Sequence, residues 1–286
     1  MTVPRTSLSR PYVLASLATL VLAVIATVVG LFVPGFYRDA PVLLPQVYGQ
    51  DLLTLVVAVP VLAVSLHFSV NGSLRGYVVW LGVTGYLLYT YASYAFMTVF
   101  NELYLVYVAL LGLTLYTFVG GMVRLDPTVL KRAVGERGVR SYVAFQLLVA
   151  LLVVALWLAD ILPASVAGTT PESITAANLP TNVIYSIDLG VLVPAYVISA
   201  YWLGKRRAWG YVFTGVILVK IATLGLAVLS MVVVMIVDGQ SVVLPQVVIF
   251  GLISVVGLAL LAQFLTSVGS DPAAVQASVS SGLTGE

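Results

Sequence analysis

Two aspartates in closely similar sequence contexts are the residues of this chain best suited to chemistry. Asp51 lies in the segment LPQVYGQDLLTLV (44–56). Asp188 lies in LPTNVIYSIDLGVLV (179–193). Both segments contain Leu-Pro and then Tyr-x-x-Asp-Leu-x-x-Leu-Val, and both open a long apolar run. A carboxylate in this position either caps the start of a membrane helix or faces a cavity, where it binds a cation or a proton.

Two further charged residues stand where helix capping does not explain them. Lys220 is the one basic residue inside an apolar run, where it pairs with an acid, lines a wet cavity or extends its ammonium to the membrane surface. Asp160 lies near the outer end of the fifth apolar run, where the negative pole of the helix disfavours a carboxylate. Water, a proton or a cation would compensate for it. Both residues are therefore candidates for an ion or ligand site.

Polar and aromatic side chains form a stripe along the third apolar run. At about 100° per residue, its side chains share an arc of about 140° on one helix face. They are Tyr86, Tyr89, Thr90, Ser93, Tyr94, Met97 and Asn101. Asn101 and Glu102 then form a tight outer turn. The stripe is typical either of helix packing with satisfied hydroxyl groups or of an amphipathic wall for a lipid-like or aromatic molecule.

The composition assigns the chain to the membrane. Of its 286 residues, 61% are hydrophobic and 8% are charged, whereas a soluble domain carries about 25% charged residues. The lack of cysteine excludes disulfides and thiolate chemistry, and a single histidine, His67, excludes a multi-histidine metal site. The chain has neither Gly-x-x-x-x-Gly-Lys nor His-Glu-x-x-His. We therefore expect no cofactor, no metal and no nucleic-acid partner.

Eight apolar runs are long enough to cross about 30 Å of hydrocarbon as helices. Their approximate limits are 11–33, 51–70, 76–100, 103–123, 140–162, 184–203, 209–237 and 242–268. The predicted fold is all-α, a polytopic transmembrane bundle of about eight helices, because an open sheet cannot satisfy its edges in lipid. Residues 1–270 form a single transmembrane domain in this prediction, and residues 271–286 form a disordered cytoplasmic tail.

The segment between the fifth and sixth runs is too polar to cross the membrane. Thr170 is followed by proline and then by an acidic residue, which is a pattern typical of a helix start. A short helix over 171–178 is therefore expected on the outer surface.

The basic residues predict the orientation of the chain. Eleven of the thirteen lysines and arginines precede the first run or follow the second, fourth or sixth, and the exceptions are Arg38 and Lys220. Lysine and arginine are enriched in cytoplasmic loops. Both termini are therefore expected in the cytoplasm.

The sequence also has the pattern of an internal repeat. Besides the two aspartate segments, Arg-x-Tyr-Val opens the first and fifth runs, and Gly-Tyr-Val opens the third and seventh. With a weak Gly-Leu match in the fourth and eighth runs included, the matching positions lie 130–139 residues apart and keep their order. Four helices in each half would give parallel repeats, 10–123 and 140–268, related by an axis along the membrane normal. The alternative is that unrelated spans share residues that favour helix starts and interfaces.

The segment Trp157–Pro194 and the turn between the third and fourth helices carry a resemblance to known sequences. In these parts the chain resembles a group of uncharacterised multi-pass prokaryotic membrane proteins with no assigned activity. The resemblance implies the plasma membrane of a prokaryote and no particular reaction.

Two functional hypotheses follow from these features. The first is transport or permeation of a small solute, ion or proton through an outward-facing polar cavity, with Asp51, Asp160, Asp188 and Lys220 as candidate residues. The second is a non-catalytic module that binds a lipid or a partner protein through the tyrosine-rich third and fourth helices and the outer loop. A membrane enzyme is the least favoured class. A wet cavity that reaches Lys220 would favour transport.

Overall fold

The computed structural model describes residues 8–135, 138–240, 242 and 244–268. The predicted tail, 271–286, lies outside the described residues. Those that are described form ten helices and no strand: α1 Arg10–Phe32, α2 Leu44–Val70, α3 Leu74–Met97, α4 Tyr104–Arg124, α5 Pro127–Val134, α6 Val139–Ala167, α7 Glu172–Ala176, α8 Val183–Gly204, α9 Ala208–Val237 and α10 Leu244–Ser267.

Seven of these helices are long and apolar enough to cross a membrane: α1, α2, α4, α6, α8, α9 and α10. α3 is 24 residues long, which is also sufficient for a span, but tyrosine, threonine, serine and glycine make it less apolar. Most of its side chains are buried by other helices, so few of these polar groups face lipid. The prediction of an all-α polytopic bundle of about eight membrane helices is confirmed.

α3 and α9 lie at the centre of the bundle and pack against each other. A Cβ on Gly82 would overlap the side chain of Val219, so glycine lets the two helices approach closely at this level. α2 and α4 pack on α3, α8 and α10 pack on α9, and α6 packs on α8. α6 and α10 contact each other little, whereas α1 and α4 in the other half pack closely.

The start of α2 and the short helix α5 differ from the prediction. α2 begins at Leu44, well before residue 51, with Pro45 in its first turn, and its first turns bury Gln50 and Asp51. Such polar residues hide the apolar signal by which a span is recognised. α5 is absent from the prediction because its lysine and arginine resemble a basic loop. Asp126 caps it by accepting a hydrogen bond from the Thr128 N–H at 2.8 Å.

Two elements on the opposite end also differ from the prediction. The fifth span does not end at residue 162 as predicted, because α6 continues through Pro163 to Ala167 and ends at Gly168 with φ of +67°. A proline this close to a helix end removes one hydrogen bond without requiring that the helix stop. The short helix expected over 171–178 is present as α7 but covers Glu172–Ala176.

Each helix that carries an aspartate segment contains a π-helical turn followed by a proline. Thr54–Ala58 in α2 precedes Pro60, and Asp188–Leu192 in α8 precedes Pro194. After each turn, a backbone N–H bonds to the carbonyl of the first residue of the turn. Proline has no N–H and crowds the carbonyl four residues before it. The wider turn accommodates its ring within a continuous membrane helix.

The turns that join α2 to α3 and α8 to α9 share one geometry. Gly72 and Arg206 both have left-handed backbone, with φ of +81° and +56°. Each donates its N–H to the carbonyl three residues back, at 3.1 and 2.9 Å. These turns, the π-helical turns and the two prolines all recur at a spacing of 134 residues.

The aspartate motif recurs at a different spacing from these structural features. Asp188 follows Asp51 by 137 residues and Thr54 by 134. The backbone therefore pairs Asp188 with Thr54, one helical turn beyond Asp51. The shared geometry supports an internal repeat of 10–123 and 140–268, which stays a prediction.

Candidate ligand-binding site

A cavity of about 400 Å³ lies between α2, α3, α6, α8, α9 and α10. α3 and α9 line it with their C-terminal halves and α8 with its N-terminal half, so it occupies the part of the bundle away from the basic turns. Most of the lining residues are apolar. Those with hydrogen-bonding side chains are Gln46, Gln50, Tyr89, Thr90, Ser93, Tyr94, Thr98, Trp157, Asp188 and Tyr196.

Asp188 is the acidic residue of this cavity, and its side chain is 5% exposed. Its Oδ1 accepts a hydrogen bond from Tyr89 Oη at 3.0 Å, and its Oδ2 accepts one from Trp157 Nε1 at 2.9 Å. α3, α6 and α8 therefore meet at one carboxylate. Trp157 is a member of the site that sequence reasoning missed, although it lies one helical turn before the candidate Asp160.

Lys220 of α9 completes this group, which we call the Asp188 cluster: Asp188, Tyr89, Trp157 and Lys220. Its ammonium lies 3.6 Å from the centroid of the Tyr89 ring and 5.9 Å from that of Tyr86. Lys220 Nζ is buried and has no hydrogen-bond partner among the described residues. The stacking on Tyr89 is a cation–π contact, and it holds the ammonium near Asp188 without a direct ion pair in the described part of the chain.

A second polar network joins α2 to α3 beside the cavity. Gln50 Nε2 donates to Tyr86 Oη at 2.8 Å and to Thr90 Oγ1 at 2.7 Å. The Thr54 hydroxyl lies 3.1 Å from the same tyrosine oxygen. These bonds satisfy polar side chains that are buried within the bundle. Tyr86, a candidate from the sequence, therefore has a packing role here. It is not among the described residues that line the cavity.

Asp51 belongs to a separate cluster, and it is not among the described residues that line the cavity. Its side chain is 1% exposed and accepts hydrogen bonds from Tyr37 Oη at 2.6 Å and Tyr94 Oη at 2.9 Å. Tyr37 comes from the turn between α1 and α2, and burial raises its pKa well above the ordinary range. The structure thus places Asp51 and Asp188 in different clusters, linked through α3.

Asp160 lies outside the cavity, at the surface end of α6. Its Oδ2 accepts hydrogen bonds from Ser173 Oγ at 2.6 Å and from Tyr185 Oη at 2.7 Å. The sequence predicts water, a proton or a cation as compensation for a carboxylate at this helix end. Two hydroxyl groups, from α7 and α8, supply hydrogen bonds there.

Asn101 and Glu102 also lie away from the cavity, in the turn between α3 and α4. Asn101 Oδ1 accepts a hydrogen bond from the Leu103 N–H at 3.0 Å and so shapes the turn. Glu102 forms an exposed ion pair with Arg38 at 2.6 Å. A hydrogen bond from its own backbone N–H, together with Arg38, lowers the pKa of Glu102. Both residues have structural partners at the membrane surface.

No known protein family, curated protein or solved structure matches the chain. Its class is therefore defined by its own fold. Among the described residues, seven helices have the length and composition of membrane spans, and α3 is a mostly buried, tyrosine-rich helix. The protein is a multi-pass α-helical integral membrane protein, whose environment is a lipid bilayer.

Proposed function

We propose that the protein binds a lipid-like amphipathic molecule in the cavity between α2, α3, α6, α8, α9 and α10. The observation that carries the proposal is a mostly apolar cavity with Asp188, Tyr89 and Trp157 at one wall. Ligand sites are typically concave and apolar, with a few polar groups that fix the orientation of the ligand. An amphipathic ligand would place its hydrocarbon against the aliphatic wall and its head group at Asp188.

Access from the surrounding lipid supports this function. α6 and α10 both line the cavity but contact each other little. One lining residue from each helix, Leu156 and Ile249, is 37% and 45% exposed, respectively. A molecule dissolved in this part of the bilayer therefore reaches the cavity without passing through water.

Transport of a small solute, ion or proton has less support from the geometry. It requires a polar path through the bundle that reaches Lys220. Lys220 is buried against the Tyr89 ring and is not among the described residues that line the cavity. In contrast, Tyr89, Ser93 and Tyr94 of the tyrosine stripe line the cavity. This position is the one expected if the stripe forms an amphipathic wall for a ligand.

Protection of a single cysteine in the cavity tests the proposal. The chain contains no cysteine, so Ser93→Cys places one thiol on the cavity wall without other changes. We expect decyl methanethiosulfonate to modify this thiol in nanodiscs. A bound ten-carbon amphiphile should slow the reaction about tenfold at ten times its Kd, by mass action. Three probes vary the charge of the head group: decyltrimethylammonium, decanol and decanoate.

Two pairs of variants separate binding in the cavity from general effects of amphiphiles. Val108→Cys carries its thiol on a 41% exposed position of α4 outside the cavity, so its modification rate should not change. Val228→Trp fills the cavity and should remove the protection of Ser93→Cys. Val233→Trp, on an exposed face of the same helix, should retain it. The proposal is wrong if no probe protects Ser93→Cys, or if Val108→Cys is protected equally.

A further inference from the structure

We infer that the ligand of this cavity is an amphipathic cation, a hydrocarbon that carries an amine or quaternary ammonium group, and that this group binds at Asp188. The inference rests on the proposed binding function and names its ligand class. Among the described residues that line the cavity, Asp188 is the one with a formal charge. The charge that the lining presents to a ligand is therefore negative.

The hydrogen bonds around Asp188 leave acceptors, rather than donors, for a ligand. Tyr89 already donates one hydrogen bond to Oδ1, and Trp157 donates one to Oδ2. A carboxylate has about four lone-pair positions, so both oxygens can still accept a hydrogen bond from an amine or lie against an ammonium group. An anionic head group would find both donors engaged and would lie beside a like charge, which is unfavourable in a desolvated site.

Aromatic rings of the cavity wall favour the same class of ligand. Tyr89, Tyr94, Trp157 and Tyr196 all line the cavity. The faces of aromatic rings attract cations, most strongly where water is excluded, and bind quaternary ammonium groups in many recognition sites. The remaining wall is aliphatic and suits a hydrocarbon chain. Carboxylate, rings and aliphatic wall together match a lipophilic cation.

Lys220 acts in this site as the protein's own competing cation. Its ammonium already occupies one position over the ring of Tyr89, whose hydroxyl group donates a hydrogen bond to Asp188. A ligand cation at Asp188 is therefore repelled by Lys220. Removal of the lysine charge should strengthen the binding of a cation, whereas removal of the aspartate charge should weaken it. These opposite effects distinguish recognition of charge from general packing.

The test measures the Kd of each ten-carbon probe from its protection of Ser93→Cys in the full chain in nanodiscs. Decyltrimethylammonium should bind at least about tenfold more tightly than decanol or decanoate. Asp188→Asn should weaken binding of the ammonium probe by at least about tenfold and leave the Kd of decanol nearly unchanged. Lys220→Met approximately keeps the length of the side chain but removes its charge. This variant should bind the ammonium probe more tightly. Asp238→Asn removes an exposed carboxylate outside the cavity and should not change the Kd of any of the three probes.

The outcomes separate the ligand class from the binding function. Protection by all three probes at equal Kd, or tightest binding of decanoate, would keep the function but overturn the cationic ligand. Protection by none would reject the function itself. If Asp188→Asn does not fold, Lys220→Met decides the question, because weaker binding of the ammonium probe to that variant contradicts the inference.

Discussion

Asp51 and Asp188 differ in what their carboxylates contact, although their sequence contexts are alike. Asp51 accepts hydrogen bonds from two tyrosines and lies away from the cavity, whereas Asp188 accepts from a tyrosine and a tryptophan on the cavity wall. The shared motif predicts a carboxylate in the first turns of each helix, where both are found. Tyr37 and Trp157 could not be predicted as partners, because the packing of the whole bundle determines which helices and turns become neighbours.

The Asp51 cluster requires a glycine on α1. A Cβ on Gly30 would overlap Asp51 Oδ2 and would lie 2.5 Å from Tyr37 Oη. Gly30→Ala should therefore lower the free energy of unfolding by about 1–3 kcal/mol, the usual cost of overpacking. Unfolding in mixed micelles, followed by circular dichroism, measures the change.

Gly112→Ala is the matched control for this substitution. Gly112 also lies in a membrane helix, α4, but has open space around its Cβ position. The variant should be neutral or up to about 1 kcal/mol more stable, because alanine favours the helix. Equal destabilisation by both substitutions would contradict a specific requirement at Gly30.

Asp39, in the turn between α1 and α2, should make stability depend on pH. Burial raises the pKa of Asp39 above its ordinary value of 3.8, although the Val99 N–H bond to Oδ1 opposes the shift. A raised pKa contributes stability that is present below pH 3.8 and is lost as pH rises through the folded pKa. Asp39→Asn keeps an acceptor for Val99, so its melting temperature relative to wild type should rise from pH 4 to pH 7.

Asp126→Asn should show the opposite sign. The Thr128 hydroxyl and backbone N–H lower the pKa of Asp126, so its contribution is present above the ordinary value of 3.8 and is lost in acid. This variant should lose stability relative to wild type as pH rises from 2 to 5. Parallel pH dependence of the two variants would show that neither carboxylate causes it.

At the scale of helices, the pairs α2–α3 and α8–α9 share the same structural features in the same order. Each pair has a π-helical turn, a proline and a turn with left-handed backbone at a spacing of 134 residues. We propose that the two halves arose by duplication. The aspartate motif is out of register with this spacing by one helical turn, which explains why its two carboxylates occupy different clusters.

The left-handed position of the α2–α3 turn should be sensitive to a side chain. Gly72 has φ of +81°, a conformation that costs an L-residue roughly 1–2 kcal/mol. Gly72→Ala should therefore lower the free energy of unfolding by about that amount. Gly204→Ala, at the end of α8 with open space around the Cβ position, should have no such effect. If both variants unfold like wild type, the turn is not constrained as described.

The helices themselves are largely predictable from the sequence, because lipid requires long apolar runs and satisfied backbone groups. The exceptions have physical causes. α2 starts with polar residues that other helices bury, and α5 is too basic to read as a membrane-associated helix. Pro163 reads as a helix end, yet α6 continues past it. The cavity is not predictable, since it arises where α6 and α10 fail to close against each other.

At the scale of the whole molecule, the basic turns gather at one end of the bundle, and the cavity lies in the other half. We propose that the basic end faces the cytoplasm of a prokaryote, with both termini on that side. Gly204→Cys and Ala176→Cys each place a thiol at an exposed position on opposite ends. An impermeant maleimide should label Ala176→Cys in intact cells and should label Gly204→Cys only after lysis. The reverse result would place the cavity toward the cytoplasm.

In the binding function that we propose, the gap between α6 and α10 determines the medium from which a ligand arrives. Under this proposal a lipophilic molecule enters the gap from the bilayer, so occupancy should depend on moles of ligand per mole of lipid. More lipid at constant total ligand should then empty the cavity by dilution, with the protein unchanged. Each additional CH₂ should improve the apparent aqueous affinity by about 0.8 kcal/mol through partitioning alone. Affinities for this cavity are therefore comparable between ligands only as mole fractions in the membrane.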